Sequence, residues 1–223
     1  MKVSKYFVIV AAIFITSLLT ANIIAVKLVT ISGFFLPAGV VIFPISYIFG
    51  DILTEVYGYR LTRMVIWLGF FCNLLAVVAI GLAQALPAAP FWQDQAAFEA
   101  ILGYTPRLLA ASFVAYLIGE FANSYILARM KIVTQGRWLW ARTISSTIVG
   151  QGLDSVVFIL IAFAGVIPGP GLVNTILTQW VFKSAYEAIA TPLTYAVTNF
   201  LKRVEGLDTF DVETNFNPVA FGD

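Results

Sequence analysis

The sequence predicts an all-α membrane protein, a bundle of six transmembrane helices. Of its 223 residues, 60% are hydrophobic and 11% are charged, whereas soluble domains carry about 25% charged residues. The apolar residues form runs of the length that crosses a bilayer as a helix, about 20 residues. The runs lie at residues 6–26, 38–57, 64–85, 108–127, 139–164 and 172–201. They predict one transmembrane domain over 1–204, followed by an acidic tail at 205–223.

The first run follows Lys2 and Lys5 and has the general pattern of a signal peptide. We interpret it as a retained helix, because it is longer than a typical signal-peptide core and is followed by further apolar runs. Small residues recur at every fourth position on one face of this helix, at Ser17, Ala21 and Ala25. Such a stripe allows another helix to approach closely.

The second run carries two carboxylates, Asp51 and Glu55, at a depth where a charged side chain costs roughly 2.5–3.5 kcal/mol. Their spacing of four residues places both on one helical face, and Pro44 just upstream is expected to bend the helix. Glu55 also lies about one turn from Arg60, and we interpret it as an interfacial charge that balances Arg60. Arg142 of a later run is a second candidate partner, for Asp51, for Glu55 or for a lipid phosphate.

The third run is almost uniformly apolar and predicts a scaffold helix. Residues 86–106 predict a loop outside the membrane, because they contain prolines and no sustained apolar run. Short outer turns are expected at 33–37 and 165–171. The fourth run carries Glu120 and Asn123, three residues apart and therefore on one face.

The last two runs contain the densest polar residues. The fifth begins with Arg142 and continues to Gln151 and Asp154, a polarity that a lipid-facing helix would not tolerate, so this helix must face the bundle interior. The sixth contains Lys183 and Glu187, whose i,i+4 spacing predicts an ion pair within one helix. The acidic tail has no apolar helical face, and we expect it to be ordered only by docking.

The distribution of Lys and Arg predicts the orientation in the membrane. One side carries Lys2, Lys5, Arg60, Arg63, Arg129, Lys131, Arg137, Lys202 and Arg203, and the other carries Lys27 and Arg107. Because the side richer in Lys and Arg is the cytoplasmic one, both termini are expected in the cytoplasm. The membrane is expected to be the cell (inner) membrane.

Three blocks of the sequence resemble one known family. They are Phe43-Pro-Ile-Ser-Tyr-Ile-Phe-Gly-Asp-Ile-Leu-Thr-Glu-Val-Tyr-Gly-Tyr59, the segment from Arg142 to Asp154, and the last run with Gln179, Trp180, Lys183, Tyr186 and Glu187. In these blocks the chain resembles the queuosine precursor transporter family, once described as vitamin-uptake-like membrane proteins. The resemblance implies an importer of 7-deazaguanine bases, 7-cyano-7-deazaguanine or 7-aminomethyl-7-deazaguanine.

A guanine-like base also suits the polar residues within the runs. Its N1–H and exocyclic amine can donate to one carboxylate, its carbonyl accepts from a lysine or an amide, and its flat face stacks on an aromatic ring. The candidates are Glu120 or Asp154 for the donor edge, Gln151, Asn123 or Lys183 for the carbonyl, and Trp180, Tyr186, Phe121 or Tyr47 for stacking. The predicted substrate-binding set is Glu120, Asn123, Gln151, Asp154, Trp180, Lys183, Glu187, Asp51 and Tyr47.

Composition argues against other classes of function. The chain has no histidine and a single cysteine, Cys72, so the sequence predicts no disulfide, metal site, cofactor or catalytic triad, and no enzyme. A net charge of +1 without a basic tract argues against nucleic-acid binding. The expected partners are a small purine-like substrate and membrane lipid.

Two alternatives remain open. The small size and the small-residue stripe of the first helix are also similar to substrate-binding components of energy-coupling-factor transporters, and the fold class is expected to resemble them. The other alternative is a membrane subunit that transports nothing. The sequence has no Walker motif, and it leaves open a homodimer or an energy-coupling partner.

Overall fold

The computed structural model describes residues 4–31, 34–103, 106–166 and 168–220. The chain is an all-α membrane protein with one short β-hairpin. In chain order the elements are α1 (Lys5–Ile24), β1 (Leu28–Ile31), β2 (Phe34–Pro37), a 3₁₀ turn (Ala38–Val41), α2 (Phe43–Ile52), a π-helical segment (Leu53–Tyr57), α3 (Tyr59–Ala85), α4 (Gln95–Leu102), α5 (Pro106–Val133), α6 (Leu139–Phe163) and α7 (Gly169–Glu205).

Among the described residues, four stretches of helix are long and apolar enough to cross a membrane: α1, α3, the stretch that contains α4 and α5, and α6. The surface of α3 suits lipid, since Leu75 is 69% exposed and Leu82 is 66% exposed. At 10 residues α2 is shorter than a span, while α7 has 37 residues but interrupts its apolar surface with polar side chains. The predicted count of six spans stays a prediction.

The hairpin of β1 and β2 follows α1 and returns the chain towards it. The outer turn expected at 33–37 is a strand along most of its length, and Gly33 lies outside the described residues. The 3₁₀ turn then packs against α1 so closely that a Cβ atom on Gly39 would lie 2.7 Å from the carbonyl oxygen of Ala21 and 3.4 Å from Cβ of Ala25. The small-residue stripe of α1 is therefore covered by the chain itself.

Pro44 does not bend α2, contrary to the sequence prediction. It lies in the first turn of that helix, where a missing backbone N–H leaves no hydrogen bond unmade. The irregularity comes later, in the π-helical segment that carries Glu55. Gly58 then separates this segment from α3 with φ of +85°, a conformation that favours glycine.

The helices α5 and α6 cross at two glycines. A Cβ atom on Gly119 would lie 3.1 Å from the carbonyl oxygen of Gly150 and 2.9 Å from Cβ of Asp154. A Cβ atom on Gly150 would lie 2.8 Å from Cβ of Asn123. This close approach brings the polar face of α5 against the polar face of α6, and so builds the interior of the site.

The start of α1 and the end of α7 meet at one end of the bundle, where the Ser4 hydroxyl donates to the Glu205 carboxylate. We call this the terminal end. Residues 206–220 form no helix or strand there and pack on the start of α3. The Asp211 carboxylate accepts from the Tyr59 N–H at 3.0 and 3.1 Å, a capping contact at a helix N-terminus. The acidic tail is therefore ordered by docking.

Candidate functional site

A cavity of about 150 Å³ opens at the end of the bundle opposite the terminal end. Its wall combines the last turns of α1, the start of α2 and the facing sides of α5, α6 and α7. The polar side chains of the wall are Asn22, Ser112, Tyr116, Asp154, Gln179, Lys183 and Tyr186, and its aromatic apolar ones are Phe43, Phe158 and Phe182. The cavity holds several times the volume of one water molecule, about 30 Å³, and its lining of aromatic and apolar groups with a few polar ones is typical of small-molecule sites.

An ion pair lies in the cavity wall. Lys183 Nζ of α7 donates to Asp154 Oδ2 of α6 at 2.7 Å. The same nitrogen lies 4.5 Å from the centre of the Phe43 ring of α2, in a cation–π contact. Three helices are thereby joined at one lysine, and both charged groups can be reached from the cavity.

The predicted ion pair of Lys183 with Glu187 is wrong. In the described part of the chain Lys183 pairs with Asp154, while Glu187 is 1% exposed and its Oε1 has no hydrogen-bond partner. Spacing along one helix predicted the pair, but the lysine side chain reaches across to the neighbouring helix. Among the described residues, Glu187 makes no ion pair.

Three buried carboxyl groups lie deeper than the cavity, and we call Asp51, Glu120 and Glu187 the acid cluster. Each is 0–1% exposed, and Glu120 interacts electrostatically with both of the others and with Asp154. Asn123 of α5 donates from Nδ2 to Asp51 Oδ1 at 2.7 Å. Each acid of the cluster keeps one buried oxygen without a hydrogen-bond partner.

Two further predicted residues connect the cavity with the acid cluster. Tyr47 is 2% exposed, its ring centre lies 5.1 Å from that of Phe43, and it interacts electrostatically with Asp154, Glu120 and Glu187. Gln151 lies one turn before Asp154 on α6 and is 2% exposed, with Oε1 unpartnered. Both are part of the polar interior but not of the cavity wall.

Trp180, predicted as a stacking wall, lies elsewhere. Its indole N–H donates to the carbonyl oxygen of Ile148 at 2.7 Å, and the indole packs on Gly152, where a Cβ atom would lie 3.2 Å from Nε1. It is absent from the cavity wall. Phe43, which sequence reasoning did not select, takes the place beside Lys183. The repeat of four residues from Phe43 through Tyr47 and Asp51 to Glu55 was the available signal, since it places all four on one face.

A second set of charges closes the terminal end. Glu55 Oε1 accepts from Arg142 at 2.8 Å and from Lys202 at 2.7 Å, and Lys131 Nζ lies 3.6 Å from it. Lys131 and Lys202 also bind Asp208 of the tail, at 2.6 and 2.8 Å. We call these five residues the charge cluster.

The contacts of the charge cluster show which cations pair with Glu55. Glu55 does not balance Arg60, because Glu55 is 1% exposed and paired with three other cations, whereas Arg60 is exposed. Of the three partners considered for Arg142, the structure selects Glu55. Lys131 was counted only as a topology marker, yet it is buried and also donates to the backbone oxygen of Glu55 at 2.6 Å.

Asp208 lies outside the helices and titrates under opposing influences. Burial acts to raise its pKa, but hydrogen bonds from Lys131 and Lys202, and their charges, outweigh burial. The pKa of the Asp208 carboxyl therefore lies below its usual range. Within the described residues no group of three or more His, Cys, Asp or Glu side chains is placed to hold a metal ion.

Comparisons with known proteins address the same helices. The family model described as "Putative vitamin uptake transporter" matches residues 37–197. The chain is 30% identical over 187 residues to the "Probable queuosine precursor transporter" of Bacillus subtilis (strain 168), covering 83% of this chain and 81% of that protein. It is 28% identical over 135 residues to the "Queuosine precursor transporter" of Escherichia coli (strain K12), covering 60% of this chain and 58% of that protein.

No solved structure matches the chain, so the expected likeness to energy-coupling-factor components stays a prediction. The family match covers α2 to most of α7, which contain the acid cluster, three of the five residues of the charge cluster and the part of the cavity wall outside α1 and Ala25. The family is one of transporters and not of enzymes. The chain is a multi-pass membrane protein that belongs to the queuosine precursor transporter family.

Proposed function

We propose that this protein imports queuosine precursors of the 7-deazaguanine class across the cell (inner) membrane, and that it binds the base in the cavity beside Asp154 and Lys183. Family membership supports the substrate class. The observation that carries the site is the ion pair of Asp154 with Lys183 in the wall of an aromatic cavity. These two charges offer the acceptor and the donor that the edge of a guanine-like base requires.

The base would separate this ion pair and bind between its members. The Asp154 carboxylate accepts from N1–H and the exocyclic amine, and the Lys183 ammonium donates to the carbonyl oxygen. Because both groups are partly accessible, at 10% and 19% exposure of their side chains, they can exchange partners without first being uncovered. The Phe43 ring, already in contact with Lys183, supplies a stacking face.

The other predicted binding residues are not assigned as contacts of the base. Glu120, Asn123, Gln151, Glu187, Asp51 and Tyr47 lie deeper than the cavity wall, and Trp180 lies outside it. The base therefore meets one carboxylate and one lysine on entry. The acid cluster remains for a different role.

The cavity would open to the outside of the cell. Lys5, Lys131 and Lys202 belong to the terminal end, and a surplus of Lys and Arg marks the cytoplasmic side. The charge cluster then closes the path on the cytoplasmic side, where the tail covers it. This arrangement is an outward-open transporter with its inner gate shut.

The test is uptake of a labelled 7-deazaguanine base by a precursor-auxotrophic strain that carries this chain as its sole importer. We expect the parent to take up the base and Asp154→Asn to lose most uptake at equal membrane abundance. Asp94→Asn is the matched control, since Asp94 is exposed and lies in the loop before α4. Equal uptake by Asp154→Asn and the parent would refute the assigned site, and absence of uptake by the parent would refute the function.

A further inference from the structure

The acid cluster gathers three carboxyl groups in the bundle interior without a cation to neutralise them. Asp51 comes from α2, Glu120 from α5 and Glu187 from α7, and each is 0–1% exposed. In the part of the chain that the structure describes, no ion pair reaches any of them. Carboxylates at this depth repel one another and have lost their water, so the cluster is stable only when most of its charge is neutralised by a bound ligand.

One buried oxygen on each acid of the acid cluster lacks a hydrogen-bond donor among the described residues. Asp51 Oδ2, Glu120 Oε2 and Glu187 Oε1 are buried and have no hydrogen-bond partner, and the same holds for the amide oxygen of neighbouring Asn123. Buried oxygens without donors are rare in folded proteins. A proton bound to one carboxyl supplies the donor that a neighbouring oxygen lacks, and it also removes a charge.

Other cations fit less well. No group of three or more acidic, histidine or cysteine side chains among the described residues is placed to hold a metal ion. Lys183, one helical turn before Glu187 on α7, is bound to Asp154. A proton needs only one oxygen at a time, so it suits carboxyl groups that lie near one another without converging on one point.

Charged and hydroxyl side chains lie on both sides of the cluster. Towards the cavity, Glu120 interacts with Asp154, and Tyr47 interacts with Asp154, Glu120 and Glu187. Towards the terminal end, Asp51 interacts with Glu55 of the charge cluster. Asp208 is another member of the charge cluster, and 48% of its side chain is exposed. Among the described residues, five side chains face the cluster. Tyr47 and Glu55 lie four positions before and after Asp51, Tyr116 lies on α5 and Asp154 on α6, and Lys183 on α7 acts through Asp154.

We propose that Asp51, Glu120 and Glu187 form a proton-binding site through which import of the base is coupled to a proton gradient. This inference rests on the proposed function. The proton enters from the cavity and binds a carboxylate of the cluster, which becomes a carboxylic acid. It leaves on the opposite side of the membrane, and the carboxylate is restored.

Coupling follows from the ion pair above the cluster. Lys183 neutralises Asp154, the carboxylate that Glu120 faces. When the base draws Lys183 away, the negative charge near Glu120 increases and a proton binds the cluster more tightly. By linkage, a bound proton strengthens binding of the base by the same factor. Base and proton then cross in the same direction.

The test uses the full chain in liposomes, with labelled 7-cyano-7-deazaguanine, an uncharged base, as the probe. With the outside one pH unit more acidic and the membrane potential clamped at zero, one proton per base predicts accumulation to about tenfold inside. A pH dye in the lumen should report acidification when unlabelled base is added outside. Accumulation that ignores the pH gradient, or that follows a sodium gradient instead, overturns the proposal.

Variants assign the effect to the cluster. Glu187→Gln and Asp51→Asn should still exchange labelled for unlabelled base, which needs no net proton movement, while gradient-driven accumulation falls from about tenfold to about onefold. Asp94→Asn should accumulate base like the parent. Variants that accumulate base like the parent overturn the proposal.

Further outcomes distinguish failure of proton coupling from failure of the proposed import function. If a variant does not fold, the lumen dye with the parent protein decides alone, and a lumen that stays at constant pH overturns the coupling. A parent that exchanges base without accumulating it keeps the proposed function and loses the coupling. A parent that does not exchange base at all loses both.

Discussion

Lys183 of α7 binds Asp154 of α6 at 2.7 Å, across the interior of the bundle and not along its own helix. The pair stands where the cavity meets the buried carboxyl groups, since Asp154 also faces Glu120. The contact therefore joins two events, the arrival of a ligand in the cavity and a change of charge above the acid cluster. Each charge of the pair is also neutralised by a side chain of the other helix.

A double-mutant cycle tests this ion pair. Lys183→Met leaves the Asp154 carboxylate without a partner, and Asp154→Asn leaves the Lys183 ammonium alone, at about 1–3 kcal/mol for each unpaired group. We expect each single change to weaken binding of the base by roughly ten- to a hundredfold, and the double change to weaken it by less than the product of the two. Binding of labelled base to purified protein is the measurement.

The matched cycle combines Lys183→Met with Glu187→Gln. Because Lys183 does not pair with Glu187, these two changes should be closer to additive than the first pair. The opposite result would contradict the observed geometry: strongly non-additive effects on binding for Lys183 with Glu187, and additive effects for Lys183 with Asp154. It would indicate that Lys183 pairs with Glu187 of its own helix.

The tail gives a prediction on pH. The pKa of the Asp208 carboxyl is lower in the folded protein than in the unfolded chain, so its ion pairs stabilise the fold above the unfolded pKa, and that stability is lost as pH falls through the folded value. With half of the Asp208 side chain exposed, 48%, the contribution is within about 1 kcal/mol. Thermal unfolding in detergent should show the parent more stable than Asp208→Asn near pH 7. The difference should begin to shrink at about pH 4, the unfolded pKa, and should vanish once pH is below the folded pKa. A difference that does not shrink below about pH 4 would contradict this role.

The crossing of α5 and α6 gives a prediction on packing. A methyl group at Gly119 would lie 2.9 Å from Cβ of Asp154, so Gly119→Ala should destabilise the protein by about 1–3 kcal/mol and displace Asp154. Gly81→Ala on α3 is the control, because a methyl group there meets no atom within 4 Å and should stabilise the helix by roughly 0.5–1 kcal/mol. Equal melting temperatures for the two variants would show that the helices do not cross at Gly119.

Local spacing predicted which polar side chains are buried, but it failed to predict their partners where helices meet. Because i,i+4 geometry depends on one helix only, the sequence could predict that Asp51 and Glu55 share a face and that α6 turns Gln151 and Asp154 inward. The partner of Lys183 depends on how α7 is rotated against α6, which no spacing within α7 encodes.

The ion pairs of the charge cluster also could not be predicted from spacing, because they join residues that are far apart along the chain. Glu55 binds Lys202, 147 positions away along the chain, and Lys131 contributes a backbone contact to Glu55 over 76 positions. Composition shows that buried acids need cations. Composition does not show which basic residue is buried beside which acid. The sequence therefore predicted Lys131 only as a topology marker.

The orientation of the chain in the membrane gives the last prediction. Ser4 and Glu205 meet at one end of the bundle, so both termini should lie on one side, and the surplus of Lys and Arg makes that side cytoplasmic. Topology reporters fused at Pro90 and Gly169 should report the outside, and reporters fused after Gln135 and at the C-terminus should report the cytoplasm. Gln135 replaces Lys131 as the fusion point because Lys131 is 1% exposed and belongs to the charge cluster. A cytoplasmic signal from Pro90 would refute the six-span topology. It would also place the opening of the cavity on the cytoplasmic side, contrary to the outward-facing orientation proposed above.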